Sequence, residues 1–178
     1  MPGHILTGTP GAGKTAILRR LELDGFPVVE EAATDIIALC VAMEDPEPWS
    51  DPATFIDRIV DLQRRRQATA PDGAFFDRSP VCTLALSRYS GVAPSACLLA
   101  EIERLLTHHL YFPAVFFIRN LGFVTPTEAR RISYADSLRF ERIHEETYRE
   151  LGFDLVDVPA GPLPSRVAAV RAAAGRGR

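Results

Sequence analysis

Gly8, Gly13, Lys14 and Thr15 stand in the pattern G-x-x-x-x-G-K-[ST], carried by the stretch GTPGAGKT. Glycines at these places let a backbone curl so that successive N–H groups point inward at phosphate oxygens. The helix expected to begin near Lys14 adds the positive end of its dipole. Lys14 would reach the β- and γ-phosphates of a nucleotide, and Thr15 would offer its hydroxyl to Mg²⁺. The contact stretch is Gly8, Pro10, Gly11, Ala12, Gly13, Lys14, Thr15 and Ala16. Lys14 is the sole lysine in a chain whose other basic residues are all arginine. A broad planar guanidinium does not fit inside a closed backbone loop, whereas a compact ammonium does.

Acids follow the next two apolar runs. Glu30 and Glu31 end the run at residues 26–29, and Asp77 follows Phe75 and Phe76. In an open parallel sheet, ligands bind beyond the carboxyl ends of the strands, where these acids would lie. Asp77 is placed to hold Mg²⁺ or to take a proton from an acceptor hydroxyl. Its neighbour Arg78 would bind phosphate or pair with an acid. Glu31, or Glu30, is the alternative base, and either would also suit the first turn of a helix. Further along, Arg130 and Arg131 precede a helix bearing Arg139 and Arg142, and arginines in that region could close over a transferring phosphoryl group. The same helix could instead be a solvated one with pairs such as Glu145 and Arg149. Cys40, Cys82 and Cys97 are widely spaced with no CxxC pair, and they fit reduced, mostly buried thiols. The histidines, including His108 and His109, lack metal-ligand spacing with the cysteines. Magnesium is the one metal expected.

These residues need a scaffold. Apolar runs at residues 4–8, 26–29, 74–76, 114–118 and 153–158, bounded by Gly, Pro or charge, read as buried parallel strands. Helical patterns at 14–23, 31–43, 52–70, 81–89, 95–110 and 136–151 separate them. In 52–70 the apolar positions Phe55, Ile59 and Leu62 recur at helical spacing, with Ser50 or Asp51 as cap and Pro52 in the first turn. Leu98, Ile102 and Leu105 face inward from 95–110. The expectation is a three-layer α/β/α sandwich around a five-stranded parallel sheet, a kinase-like P-loop NTPase fold. One domain over residues 1–178 is expected, with a frayed basic tail from about 172.

The chain has 178 residues, 47% hydrophobic and 24% charged, with a net charge of −3. That balance gives no broad attraction to nucleic acid or to anionic lipid. No signal-peptide pattern precedes the first motif and no apolar run could span a bilayer, so a cytoplasmic protein, monomer or homodimer, is expected.

GTPGAGKT, PVVEEAATDII, FFDRSP and RFERIHEETYRELGFDLVDVP together resemble the small AAA-type ATPase or kinase-like domains related to bacterial nicotinamide riboside kinases. The likeness spans nearly the whole chain. Where that family has a segment similar to PEAAR, this chain reads EEAAT, so Glu31 matches the acid and Thr34 replaces the arginine. The resemblance implies a P-loop core binding Mg²⁺ and ATP. With the residues above it points to transfer of the γ-phosphate to a small hydroxylated acceptor. Trp49, Phe55 and Tyr89 are candidate apolar walls for that acceptor. The alternative is a nucleotide-dependent regulatory module with no acceptor. A GTPase switch of the common type is disfavoured: strand three ends D-R-S-P, and the single asparagine, Asn120, sits in RNLG, so no N-K-x-D motif is present. A hexameric motor is disfavoured, because little chain remains after residue 160 for a helical lid.

Overall fold

The computed structural model describes residues 1–44, 50–122 and 133–176. Five parallel strands form one sheet in the order β2-β3-β1-β4-β5, from β1 (His4–Thr7), β2 (Val28–Val29), β3 (Phe75–Asp77), β4 (Ala114–Ile118) and β5 (Asp154–Val158). Helices α1 (Lys14–Leu23) and α7 (Leu163–Arg176) cover one face. On the other lie α3 (Pro52–Thr69), α4 (Pro80–Tyr89), α5 (Ala96–Thr107) and α6 (Tyr134–Glu150), while α2 (Ala32–Ala42) packs on α3. This is the three-layer α/β/α fold expected from the alternation of strands and helices.

The two cores follow from strand alternation. Leu6, Phe75 and Phe116 point to α1 and α7, meeting Ile17, Leu18, Leu21, Val167 and Val170. Their neighbours Ile5, Phe76 and Val115 point the other way, among Ile56, Val60, Val81, Leu98, Ile102, Leu105 and Tyr148. Burying a side chain of this size stabilises by about 1.5–3 kcal/mol. Each central strand is therefore held from both sides, and the carboxyl ends of β1 and β3 are fixed firmly beside each other.

The helix ends follow their capping residues. Asp51 accepts from Thr54 N at 3.2 Å and Pro52 opens α3; Ser95 caps α5 through Leu98 N at 3.1 Å. Ser133 caps α6 through Asp136 N at 3.1 Å, and Gly152, with φ 83°, follows its end.

Three details differ from the sequence reading. The second strand is only two residues long, because Phe26 N bonds Leu21 O at 3.0 Å to close α1 and Pro27 has no N–H to pair. The buried face of α3 is Ile56, Ile59, Val60 and Gln63, with Phe55 and Leu62 turned partly toward α2. The stretch taken for a frayed tail is helical as far as Arg176. Val167 and Val170 bury one side of that helix, and Arg171 bonds Asp24 at 3.1 Å, so it docks on α1.

Candidate active site

The loop between β1 and α1 sits at the carboxyl edge of the sheet, centred on the strand with neighbours on both sides. Gly8 leaves β1 with φ 133°, and a Cβ there would stand 2.3 Å from Ile118 O of β4. Only glycine allows that approach. Gly13, with φ 84°, caps α1. Ala12 is fully buried in the α1 core, and its N–H closes a turn onto Thr9 O at 3.2 Å. Pro10, Gly11, Gly13, Lys14, Thr15 and Ala16 line one cavity of about 540 Å³.

Lys14 is folded back onto its own loop. Its Nζ donates to Thr9 O at 3.0 Å and Gly8 O at 3.2 Å. Burial, then the nearby positive charge of Arg78, lowers its pKa to about 8, against the opposing pull of Asp77 and Glu31. It remains mostly protonated at neutral pH. An ammonium that bonds only carbonyl oxygens is ready to exchange them for phosphate oxygens.

Asp77 is the last residue of β3, level with Leu6 of β1, and is almost wholly buried. Its Oδ2 accepts from Thr15 Oγ1 at 3.1 Å, while the buried Oδ1 has no partner among the described residues. Burial, with Glu31 adding to it, raises the carboxyl above its ordinary range, although Lys14, Arg78 and Thr15 pull the other way. A buried carboxylate with one unsatisfied oxygen beside a threonine hydroxyl suits a hard divalent cation. Thr15 and Asp77 therefore fit Mg²⁺ with the rest of its shell from phosphates and water. No group of three or more acid, histidine or cysteine ligands lies together among the described residues.

Glu31 and Arg78 form a second unit. Arg78 has φ 74°, a backbone conformation rare outside glycine, and it turns its guanidinium back across the cavity. Arg78 Nε donates to Glu31 Oε1, while Thr34 Oγ1 donates to Oε2 at 2.9 Å. Burial opposes the charge of Glu31, but Arg78 and Lys14 outweigh it and hold the carboxyl below its usual range. Thr34, where the resembled family has arginine, serves as a hydrogen-bond donor to Glu31. Arg78 Nη1 also lies 3.4 Å from His144 Nε2. His144 Nδ1 donates to Phe140 O at 2.9 Å, which leaves Nε2 as an acceptor toward Arg78. Burial and Arg78 lower the pKa of His144 to about 3, so this imidazole is neutral. His144 was passed over in the sequence because its role depends on α6 crossing the end of β3.

Glu30 is outside this unit: it is exposed and paired with Arg19. Away from the loop the cavity is apolar, with Ile37, Phe55, Ile59, Leu86 and Phe140, and Gln63 and Thr83 supply hydrogen-bonding groups there. Phe55 is thus a wall, as expected. Tyr89 packs against Phe140 in a tilted ring pair at 4.7 Å and does not line the cavity. Arg139 lies over Tyr89 at 5.6 Å, and neither it nor Arg142 reaches the cavity. Arg130, Arg131 and Trp49 fall outside the described residues. Asn120, unassigned from sequence, ties the loop to α6 by donating to Thr9 Oγ1 and Ser137 Oγ, each at 3.3 Å.

A family model described as an AAA domain matches residues 4–166. No curated protein matches the chain in sequence. Solved structures of deoxyadenosine kinase from M. mycoides are similar in fold. The form with dCMP and dCDP has a TM-score of 0.64 at 15% identity, covering 99% of this chain and 100% of that one. The dCTP-bound form has a TM-score of 0.63 at 16% identity with the same coverage. The dATP-bound form has a TM-score of 0.57 at 15% identity, covering 97% of this chain and 99% of that one.

Proposed function

The chain belongs to the AAA domain family, and from that premise and the shape of the site we propose that it transfers the γ-phosphate of ATP to a small hydroxylated molecule. The observation that carries this reading is the single cavity joining the loop residues Gly11–Thr15 to the apolar recess beyond Glu31 and Arg78. A nucleotide phosphate at one end and an acceptor at the other would meet at the junction. A recess continuous with the loop favours an acceptor molecule over water as the recipient of the phosphoryl group. The deoxyadenosine kinase structures that resemble this chain in fold support the same reading.

In this scheme the acceptor hydroxyl oxygen forms a bond to the γ-phosphorus, the bond to the bridging oxygen of ADP breaks, and the hydroxyl proton passes to a carboxylate. Glu31 is assigned that proton, because it lines the cavity and Asp77 does not. Its lowered pKa makes it a weak base, which suffices where the proton leaves late in a loose transition state. Asp77 and Thr15 would hold Mg²⁺. Mg²⁺ bound there would offset negative charge on the β- and γ-phosphates. Lys14 gives up two carbonyl oxygens to bind the γ-phosphate, and Arg78, oriented by Glu31 and His144, faces the transferred group. Arg130 and Arg131 are assigned as further cations over that group. Gln63 Oε1 already accepts from Thr83 at 2.9 Å, leaving the amide N–H groups to meet a carbonyl or ring nitrogen of the acceptor.

The test is consumption of ATP with Mg²⁺ against a panel of nucleosides, ribosides, sugars and hydroxylated antibiotics, with product masses recorded. Nucleosides belong on it because the solved structures similar in fold are deoxyadenosine kinases. A product heavier than its acceptor by one phosphoryl group is expected. Slow hydrolysis indifferent to every compound would instead favour a regulatory ATPase.

A further inference from the structure

Arg166 lies in the first turn of α7, with its N–H on Pro162 O at 3.2 Å, and is only 4% exposed. Its Nη2 donates to Arg119 O at 3.1 Å, and its buried Nε has no partner among the described residues. No carboxylate bonds it among the described residues, and burial disfavours its charge. A guanidinium so enclosed is normally matched by an acid. Its position adds to the cost, because the first turn of a helix is the positive end of the dipole. The other Nη1 is directed at a second positive end, since a Cβ on Gly13, the cap of α1, would come within 2.9 Å of it.

Two helix N-termini and an unpaired guanidinium thus converge on one lip of the phosphate loop. That arrangement is unfavourable empty and favourable around an anion. We propose that Arg166 binds a phosphate oxygen of the nucleotide, as a ligand supplied from α7 to the loop at Gly13. The assignment rests on the nucleotide-binding reading above and extends it to a residue outside the motif. It also accounts for the docking of α7: the apolar side of the helix at Val167 and Val170 fixes the height at which Arg166 meets the loop.

Calorimetric titration of the full chain with Mg-ADP and with adenosine tests this, using Arg166→Gln and Arg166→Met, which keep much of the stem's packing. Losing one charged hydrogen bond should weaken Mg-ADP about ten- to a hundredfold. Adenosine affinity should stay the same, and the melting temperature without nucleotide should stay level or rise. A fall in melting temperature with undiminished Mg-ADP affinity would show that Arg166 only packs, and would overturn the proposal. Equal losses for adenosine and Mg-ADP would overturn the phosphate assignment. If the unsubstituted protein binds no nucleotide, with Lys14→Ala behaving identically, the reading beneath fails and takes this one with it. Should Arg166→Gln not fold, Arg166→Met and the nucleotide-dependent rise in its melting temperature give the same comparison.

Discussion

Alanine at Gly8 and at Gly13 makes the same chemical change twice in one loop, and the structure assigns the two very different costs. Both glycines have positive φ, 133° and 84°, which an alanine adopts at a cost of order 1–3 kcal/mol. Their surroundings separate them. At Gly8 the new methyl would stand 2.3 Å from Ile118 O and 3.2 Å from its carbonyl carbon. Those are backbone atoms of a central strand paired to β1 and β5, so neither partner can step aside cheaply. Overpacking of this kind adds about 1–3 kcal/mol. At Gly13 the nearest atoms are Arg166 Nη1 at 2.9 Å and Leu121 Cδ1 at 3.8 Å, the far ends of flexible side chains. Gly8→Ala should therefore lose about 3–5 kcal/mol of unfolding free energy, and Gly13→Ala about 1–2 kcal/mol. Urea unfolding without nucleotide, followed by circular dichroism, measures both. Equal losses, or a Gly8→Ala loss under 1 kcal/mol, would refute the claim that β4 sets the first loop glycine.

Two further perturbations probe the charged groups. Asp77→Asn should keep the Thr15 hydrogen bond while removing a buried negative charge; turnover should fall at least about a hundredfold, with little change in stability without nucleotide. Full turnover of the variant would refute a role for Asp77 in holding the metal. His144, neutral when folded with a pKa of about 3 against 6.5 as its ordinary value, binds its proton more readily in the unfolded chain. Its contribution to stability is therefore present above about pH 6.5 and is lost as pH falls toward 3, by roughly 1 kcal/mol per pH unit. Comparing His144→Phe with the unsubstituted protein across pH 4–7 should show a shallower acid loss in the variant, and parallel curves would contradict the buried neutral imidazole.

The loop between β1 and α1 was legible because its pattern is local: eight consecutive residues supply the glycines, the lysine and the hydroxyl. The strands at 114–118 and the inward face of 95–110 were legible through apolar runs and helical spacing, patterns that survive without knowledge of neighbours. The rest depended on what the chain crosses. Arg78 is next to Asp77 in sequence, yet its function depends on Glu31 from the preceding loop and His144 from α6. Helix α7 was obscured by two prolines at its start and a glycine-rich end. Its stability comes from two valines and an arginine docking against α1, which spacing alone understates. Gln63 sat unnoticed inside a helix because a single polar residue on an apolar face signals nothing until Thr83 is placed opposite it.

The distribution of charge explains why these later residues belong with the motif. Lys14, Arg78 and Arg166 each lie within the protein at the carboxyl edge, and among the described residues only Arg78 has an acid bonded to it. Asp77 is nearby, but burial weakens its charge and leaves one of its oxygens open. Among the described residues, Lys14 and Arg166 bond only backbone carbonyls at this edge. A phosphate chain supplies the missing negative charge in an environment where water competes poorly. A metal between Thr15 and Asp77 would restore balance on the other side. Arg78, already paired with Glu31, is left as the cation whose partners need not change on nucleotide binding. In the proposed transfer, Arg78 would thus stay in place beside the cavity while Lys14 changes partners.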